Sequence, residues 1–186
     1  MNEDTSSGMH AWANTSDDEV GNLLEAWQSR YPRMGVLALV AEKERDAWVK
    51  LLQRMCNDSD IPLQGGVFPA LIAQDRFLDR GCILLRFDVM PFARIYDPIT
   101  LPAEGAVEEL AHDVAQRLDR PRENALVLIF DAMVPTIATF LDGLYLRLAD
   151  RVRYMGANAG SETFKEMPCL FDNERIAEDA VLAILM

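Results

Sequence analysis

Apolar residues follow two alternating patterns along the chain. After a capping box formed by Ser16 and Glu19 they recur every three or four residues, which predicts an amphipathic helix that ends at Pro32. Short continuous apolar runs at 36–40 and 125–130 predict strands buried on both faces. Further helical patterns lie over 44–57, 107–118 and 134–149. We therefore expect an α/β domain whose helices pack on a mixed β-sheet, with the two apolar strands at its centre.

The order of predicted elements occurs twice. Each half carries helix, strand, helix, strand, glycine turn and hairpin, over residues 16–98 and 102–186. Gly65 corresponds to Gly156, and the stretch 70–87 corresponds to 169–186 without a gap. A period of roughly 90 residues is too long for a solenoid. We interpret it as an internal duplication with a pseudo-two-fold axis, although a shared fold class could generate part of the order by chance.

The second half is longer than the first in one place. Between its glycine turn and its final hairpin it carries eight extra residues, within 157–168. Function often lies on loops that interrupt the regularity of a scaffold. This loop is therefore the first place where we expect a functional site.

Charge and cysteine content narrow the class of protein. The net charge is −12, which disfavours nucleic acids and anionic membrane surfaces as partners. Residues 1–15 are polar and lack a secretory signal, so we expect a flexible tail. No apolar run is long enough to cross a membrane. Three cysteines without CxxC spacing favour the reducing cytoplasm.

Two stretches carry a resemblance to a known family. Residues 35–87 hold an apolar strand, a helix, the segment Ile61-Pro-Leu-Gln-Gly-Gly66 and a strand with Ile83-Leu-Leu85. Residues 125–186 hold Tyr154-Met-Gly-Ala-Asn-Ala-Gly160 and Cys169-Leu-Phe-Asp-Asn-Glu-Arg-Ile176. Together they resemble the N-terminal domain of the FIST family of intracellular sensory proteins.

The resemblance implies one FIST N-like domain over 16–186 that senses a small ligand, such as an amino-acid-like metabolite. For some family members it also implies a link to haem. Family members normally continue into a FIST C-terminal domain. We therefore expect the chain to be a fragment, a truncated chain or a reduced member, whose signalling partner or C-terminal domain is missing.

Two glycine segments are candidate ligand sites. Gly65-Gly66 and the segment 156–160 are predicted to form turns, where a ligand could approach backbone N–H groups. Tight structural turns or bulges are the alternative, and neither segment matches a P-loop or a dinucleotide fingerprint. With the polar residues of the longer loop, the candidate ligand-binding residues are Gly65, Gly66, Gly156, Asn158, Gly160, Ser161 and Thr163, beside Glu162.

Metal and catalytic chemistry find little support in the sequence. Glu108 and His112 stand one helical turn apart, which could offer two metal ligands. The apolar stripe of their helix places them on the exposed face, however, so we prefer a solvated charge cluster. His112 could ligate haem only if that face were covered. No Ser-His-Asp or Cys-His arrangement is evident, so no catalytic residue, metal or cofactor is predicted.

The resemblance, and not any visible site chemistry, implies a non-enzymatic sensory domain that binds a small molecule and passes the change to a partner kinase, cyclase or chemoreceptor. Two alternatives stay open. One is an interaction module without a small ligand, and the other is an enzyme whose pocket the sequence does not reveal.

Overall fold

The computed structural model describes residues 8–12, 17–73, 75–99, 104–118 and 123–186. Its helices are α1 (Asp17–Arg30), α2 (Arg45–Asp58), α3 (Glu104–Ala115) and α4 (Ile137–Leu148). The strands of its first half are β1 (Met9–Trp12), β2 (Gly35–Ala41), β3 (Leu63–Phe68), β4 (Leu71–Ala73), β5 (Arg76–Leu78) and β6 (Cys82–Phe87). Those of its second half are β7 (Phe92–Tyr96), β8 (Ala125–Asp131), β9 (Arg153–Ala159), β10 (Leu170–Asp172), β11 (Ile176–Ala177) and β12 (Val181–Leu185).

Two mixed sheets contain ten of these strands, and β4 and β5 form a separate two-stranded sheet. The larger sheet has the order β1-β6-β2-β3-β10-β11, and the smaller one has the order β7-β12-β8-β9. In both, an interior strand has one antiparallel and one parallel neighbour: β2 lies between β6 and β3, and β8 between β12 and β9. The mixed α/β class is confirmed, and the two apolar runs occupy interior positions.

The sheets pack face to face, and each carries a helix pair on its outer side. Because side chains alternate across a strand, a central strand contributes to two layers of core. On β8, Leu128 belongs to the core formed with α3 and α4, whereas Ile129 belongs to the core that includes β2, α1 and α2. Four layers result, in the order helices, sheet, sheet, helices.

Gly65 and Gly156 occupy corresponding positions in the two sheets. Gly65 on β3 pairs with Ala38 of β2, and Gly156 on β9 holds the same place opposite Leu128 of β8. The antiparallel strands β6 and β12 run along the other side of these two central strands. The internal duplication and its pseudo-two-fold axis stay a hypothesis, since a shared fold would give similar pairing.

The predicted glycine turns are wrong, because Gly65 and Gly66 lie inside β3 and Gly156 lies inside β9. These glycines allow close lateral packing rather than a reversal of the chain. A Cβ atom on Gly65 would lie 2.2 Å from a ring carbon of Phe171, and one on Gly156 would lie 2.5 Å from the Leu128 carbonyl oxygen. Gly160 alone has the expected unusual backbone, with φ of 135° just beyond β9.

The predicted C-terminal hairpin is also wrong in its partners. β10 forms its hairpin with β11 at an edge of the larger sheet, whereas β12 crosses into the middle of the smaller sheet. All five residues of β12 are buried. A strand that is apolar at every position is most stable between two neighbours with both faces covered, which an edge hairpin cannot provide.

Two smaller predictions need correction. Met9–Trp12 form β1 and pair with β6, so the flexible tail does not extend over these residues, while 1–7 and the capping Ser16 lie outside the described residues. The helical apolar pattern over 134–149 predicts that Leu141 faces inward, but it is 37% exposed. Strand β1 was missed because four residues are too few for an alternating apolar pattern to be recognised within a polar segment.

The contact between Gly65 and Phe171 predicts a sharp effect of one methyl group. Gly65→Ala should lower the free energy of unfolding by about 1–3 kcal/mol, since the new Cβ overlaps the ring. Combining it with Phe171→Ala should cost less than the sum of the two changes, because the overlap is then gone. Urea unfolding measures both.

The control for this prediction is Gly105→Ala in α3, where an added Cβ meets no atom within 4 Å. This change should leave stability the same or raise it by up to about 1 kcal/mol. Equal losses at both positions would contradict the close contact.

Candidate functional site

An apolar cleft opens between the two sheets, beside the edge strand β9. We call it the inter-sheet cleft, and its volume is about 430 Å³. Its walls include Phe68, Leu71 and Ile72 on the side of the larger sheet, and Met155, Gly156 and Ala157 on the side of β9. The cleft therefore lies where the core between the sheets meets solvent.

A second cleft lies on the opposite face of β9, against α4. This helix-side cleft has a volume of about 470 Å³ and is lined by Ile137, Leu141, Tyr154 and Asn158 among others. The segment Met155–Ala157 lines both clefts. A single exposed strand thus separates two apolar depressions.

The outer edge of β9 presents backbone groups without a strand partner in the described part of the chain. Arg153 N–H donates to the Asn124 carbonyl on the β8 side, and the Ala159 carbonyl accepts from Ala132 N–H on that same side. Because successive residues of a strand point their N–H and C=O groups to opposite sides, those of Tyr154, Gly156 and Asn158 point away from β8. Of these three residues, Gly156 lines both clefts.

The longer loop that follows β9 is anchored to the first half of the chain by one carboxylate. Ser161 Oγ–H donates to Glu42 at 2.7 Å, and Glu162 N–H donates to the other oxygen of Glu42 at 2.8 Å. Thr163 N–H in turn donates to Ser161 Oγ at 3.1 Å. Ser161 is buried, so the polar groups of this loop serve its own conformation.

A polar pocket of about 270 Å³ lies where β7 and β10 approach each other. Arg175 makes two hydrogen bonds of 2.8 Å to Asp97. Arg94 contacts Glu109 at 2.6 Å and Asp113 at 3.0 Å. Since each of these charges already has a partner, the pocket has the character of a structural ion-pair network, and the clefts beside β9 are the better candidate site.

The family of the chain follows from comparison with known proteins. A family profile of the FIST N domain matches residues 34–186. The chain belongs to the FIST N domain family. This family is associated with sensing in signal transduction. No curated protein matches the chain.

The FIST N domain match covers every strand that lines the two clefts. Within the described residues, none of the helices is both long and apolar enough to cross a membrane.

The predicted ligand-binding residues separate into three groups in this FIST N domain. Gly156 lines both clefts, and Asn158 lines the helix-side cleft. Gly65 and Gly66 lie inside β3, where the ring of Phe171 covers Gly65. Gly160, Ser161 and Thr163 belong to the loop anchored by Glu42. The structure thus brings only Gly156 and Asn158 to a common cleft, and ligand binding by any of the seven stays a prediction.

The two possible metal ligands on α3, His112 and Glu108, each contact another side chain instead. His112 is exposed, and its Nε2 lies 2.7 Å from the side-chain nitrogen of Gln116, while Glu108 pairs with Arg147. In the described ranges, His, Cys, Asp and Glu do not group in threes suited to a metal ion. No His or Cys lines either cleft beside β9, and Tyr154 and Met155 are the side chains there of types that can ligate haem iron.

Sequence reasoning missed the apolar walls of the clefts. As an apolar residue Met155 is more typical of core packing, yet it is 59% exposed, and Tyr145 on α4 is 58% exposed. One signal was present, because the apolar positions of α4 cover more than one face of the helix. Such a wide stripe indicates an apolar surface outside the core.

The loop anchor predicts that mutation of Glu42 lowers stability and loosens the loop that follows β9. Glu42→Ala removes the acceptor of both Ser161 and Glu162. Stability should fall by about 1–3 kcal/mol, because a buried hydroxyl and a backbone N–H lose their partner. The amides of 161–166 should exchange faster with deuterium, as measured by mass spectrometry.

The matched control is Glu162→Ala, which removes an exposed carboxylate but keeps the backbone N–H that Glu42 binds. Exchange in the loop should then stay as in the unmodified chain. If both alanine variants behaved alike, the anchoring role of Glu42 would be wrong.

Proposed function

We propose that this FIST N domain is a non-enzymatic sensory domain that binds a small, largely apolar molecule in the inter-sheet cleft. The observation that supports the proposal is the cleft itself. Its volume of about 430 Å³ lies in the usual range for small-molecule sites, which are mostly apolar with a few convergent polar groups. Its walls are apolar, and the unpaired backbone groups of β9 lie at its mouth.

The geometry favours a ligand with one apolar and one polar end. An apolar group would replace water between Phe68, Leu71 and Met155. A polar head would reach the outward N–H and C=O groups of β9. An amino-acid-like metabolite with an apolar side chain has this form.

The position of the cleft supports a means of signalling. One wall includes Phe68 of β3 in the larger sheet and the other includes Met155 of β9 in the smaller sheet, so a bound molecule contacts both. A ligand that prefers one spacing of these walls stabilises that spacing. A signalling partner or a FIST C-terminal domain would then read the position of the sheet edges.

The chemistry of the cysteines disfavours nucleophilic catalysis by a thiol. Burial raises the pKa of Cys56 to about 12. Burial also raises the pKa of Cys82 and of Cys169 above the ordinary thiol value. A thiol that stays protonated is a poor nucleophile. The three cysteines are free thiols, which agrees with a cytoplasmic location.

The ligand hypothesis can be tested by thermal shift with amino acids and related metabolites as the probes. A molecule present at 100 times its Kd should add about 2.7 kcal/mol of stability and raise the Tm. Ala157→Phe should abolish that shift, because Ala157 is exposed on the cleft wall and a phenyl group would fill the space.

The matched control is Ala138→Phe, at an exposed position of α4 that lines neither cleft. It should keep the shift. A flat screen with the unmodified chain, or a shift that survives Ala157→Phe, would refute binding in the inter-sheet cleft.

A further inference from the structure

The outer edge of β9 is open, whereas the equivalent edge of β3 is covered. On β3, Val67 N–H donates to the Cys169 carbonyl, and Leu63 N–H donates to Asn173 Oδ1. Between them β10 pairs antiparallel with β3, with Phe171 opposite Gly65. The corresponding residues of β9, centred on Gly156, have no such strand paired with them among the described residues; only beyond the end of β9 does Gly160 N–H donate to the Val67 carbonyl of β3.

The chain's own candidate for this role is held elsewhere. The stretch that corresponds to β10 in the first half forms β4, which pairs only with β5 in the described structure. Leu71 and Ala73 of β4 are buried with Ala41 and Ile83 in a small core of their own. Moving β4 onto β9 would expose this core, so the edge is left to another chain.

β9 lacks the features that normally prevent edge association. It has seven residues and no proline, and its one charged residue, Arg153, stands at the first position. From Arg151 to Ser161 the sequence carries no acidic residue, although the chain has a net charge of −12. Two copies can therefore approach here with less repulsion than elsewhere on the surface.

The outward backbone groups are arranged symmetrically about one residue. Tyr154 and Asn158 lie two positions on either side of Gly156, and all three point outward. An antiparallel copy can therefore place Tyr154 opposite Asn158 and Gly156 opposite itself, so that every pair exchanges two hydrogen bonds. We propose that β9 pairs antiparallel with β9 of a second copy about a two-fold axis at Gly156, joining two four-stranded sheets into one continuous sheet.

Apolar surface adds to this pairing on both faces of the sheet. Met155 and Ala157 project towards the inter-sheet cleft, and Tyr154 projects towards Leu141 and the helix-side cleft. Pairing two strands brings each set against its symmetry mate and removes apolar area from water. The proposal does not depend on a small ligand.

Light scattering coupled to size exclusion tests the proposal on the full chain. The expected mass is twice 20.9 kDa at high concentration and falls towards 20.9 kDa on dilution. Hydrogen exchange then locates the interface. The amides of Tyr154, Gly156 and Asn158 should be protected only in the dimer, whereas that of Arg153, which is bonded on the β8 side, should be protected at every concentration.

Two variants separate the edge from other surfaces. Asn158→Pro removes one outward N–H without touching the β8 ladder, and Met155→Lys places a charge at the edge; each should shift the mass to that of one chain. Leu146→Lys is the matched control, because Leu146 is 82% exposed on α4 and lines neither cleft. This variant should dimerise like the unmodified chain.

Three results would overturn the proposal. They are a single-chain mass at all concentrations, a dimer that survives both edge variants, and outward amides that exchange equally fast in monomer and dimer. Circular dichroism melting confirms that each variant is folded. The thermal-shift response to metabolites is measured separately on the unmodified chain, diluted until its mass is that of one chain. Loss of dimerisation with a retained shift would leave the ligand hypothesis intact.

Discussion

The packing of the two sheets against each other is the constraint on which the rest of this structure depends. Each sheet is covered by helices on one face and by the other sheet on the second face, so interior strands must be apolar at nearly every position. β12 shows the result, since all five of its residues are buried. With both faces of each sheet occupied, polar backbone groups can meet solvent or a partner only at the sheet edges. The sheet edges are therefore the places where a ligand or a partner chain can bind backbone groups.

The edges of the corresponding strands β3 and β9 differ in what covers them. β3 and β9 hold the same place in their sheets and carry corresponding glycines, Gly65 and Gly156. The longer loop after β9, anchored through Ser161 on Glu42, allows β10 to reach across and cover β3. The shorter connection after β3 leads instead into the β4–β5 hairpin, which covers part of its own sheet. The extra residues of the second half thus allow β10 to cover the edge of β3, while the edge of β9 has no paired strand among the described residues.

The sequence predicted the parts of the fold that a local pattern can encode. Continuous apolar runs identified β2 and β8 as interior strands, and three- to four-residue periodicity predicted α1 and α2, whose buried faces carry Trp27 and Trp48. Glycine was misread because its pattern is the same in a turn and in a crowded strand. Only the ring of Phe171, far along the chain, distinguishes the two cases for Gly65. The destination of β12 likewise depends on a partner strand and not on its own residues.

Only part of the candidate site could be predicted, again because a local sequence pattern does not show which strands become neighbours. Gly156 and Asn158 were selected as polar or flexible positions near the longer loop, and both do line a cleft. The walls formed by Met155 and Phe68 were not, because an apolar residue in a strand looks the same whether it faces a core or an open cleft. Whether a cleft exists depends on how far the second sheet extends. The extent of that sheet depends on how its strands pair, and no single stretch of sequence encodes this pairing.

The shared strand couples the two proposals made for β9. Side chains of Met155 and Ala157 face the inter-sheet cleft, while backbone groups of Gly156 face the open edge. A ligand that fills the cleft without reaching the edge orders the strand, so that pairing costs less entropy and binding favours association. A ligand whose polar head bonds the outward N–H of Gly156 uses the groups that a second strand needs, so that binding opposes association. Because coupling between two sites is reciprocal, the oligomeric state changes the affinity for the ligand by the same factor. The polarity of the ligand, more than its size, then decides the sign of the response.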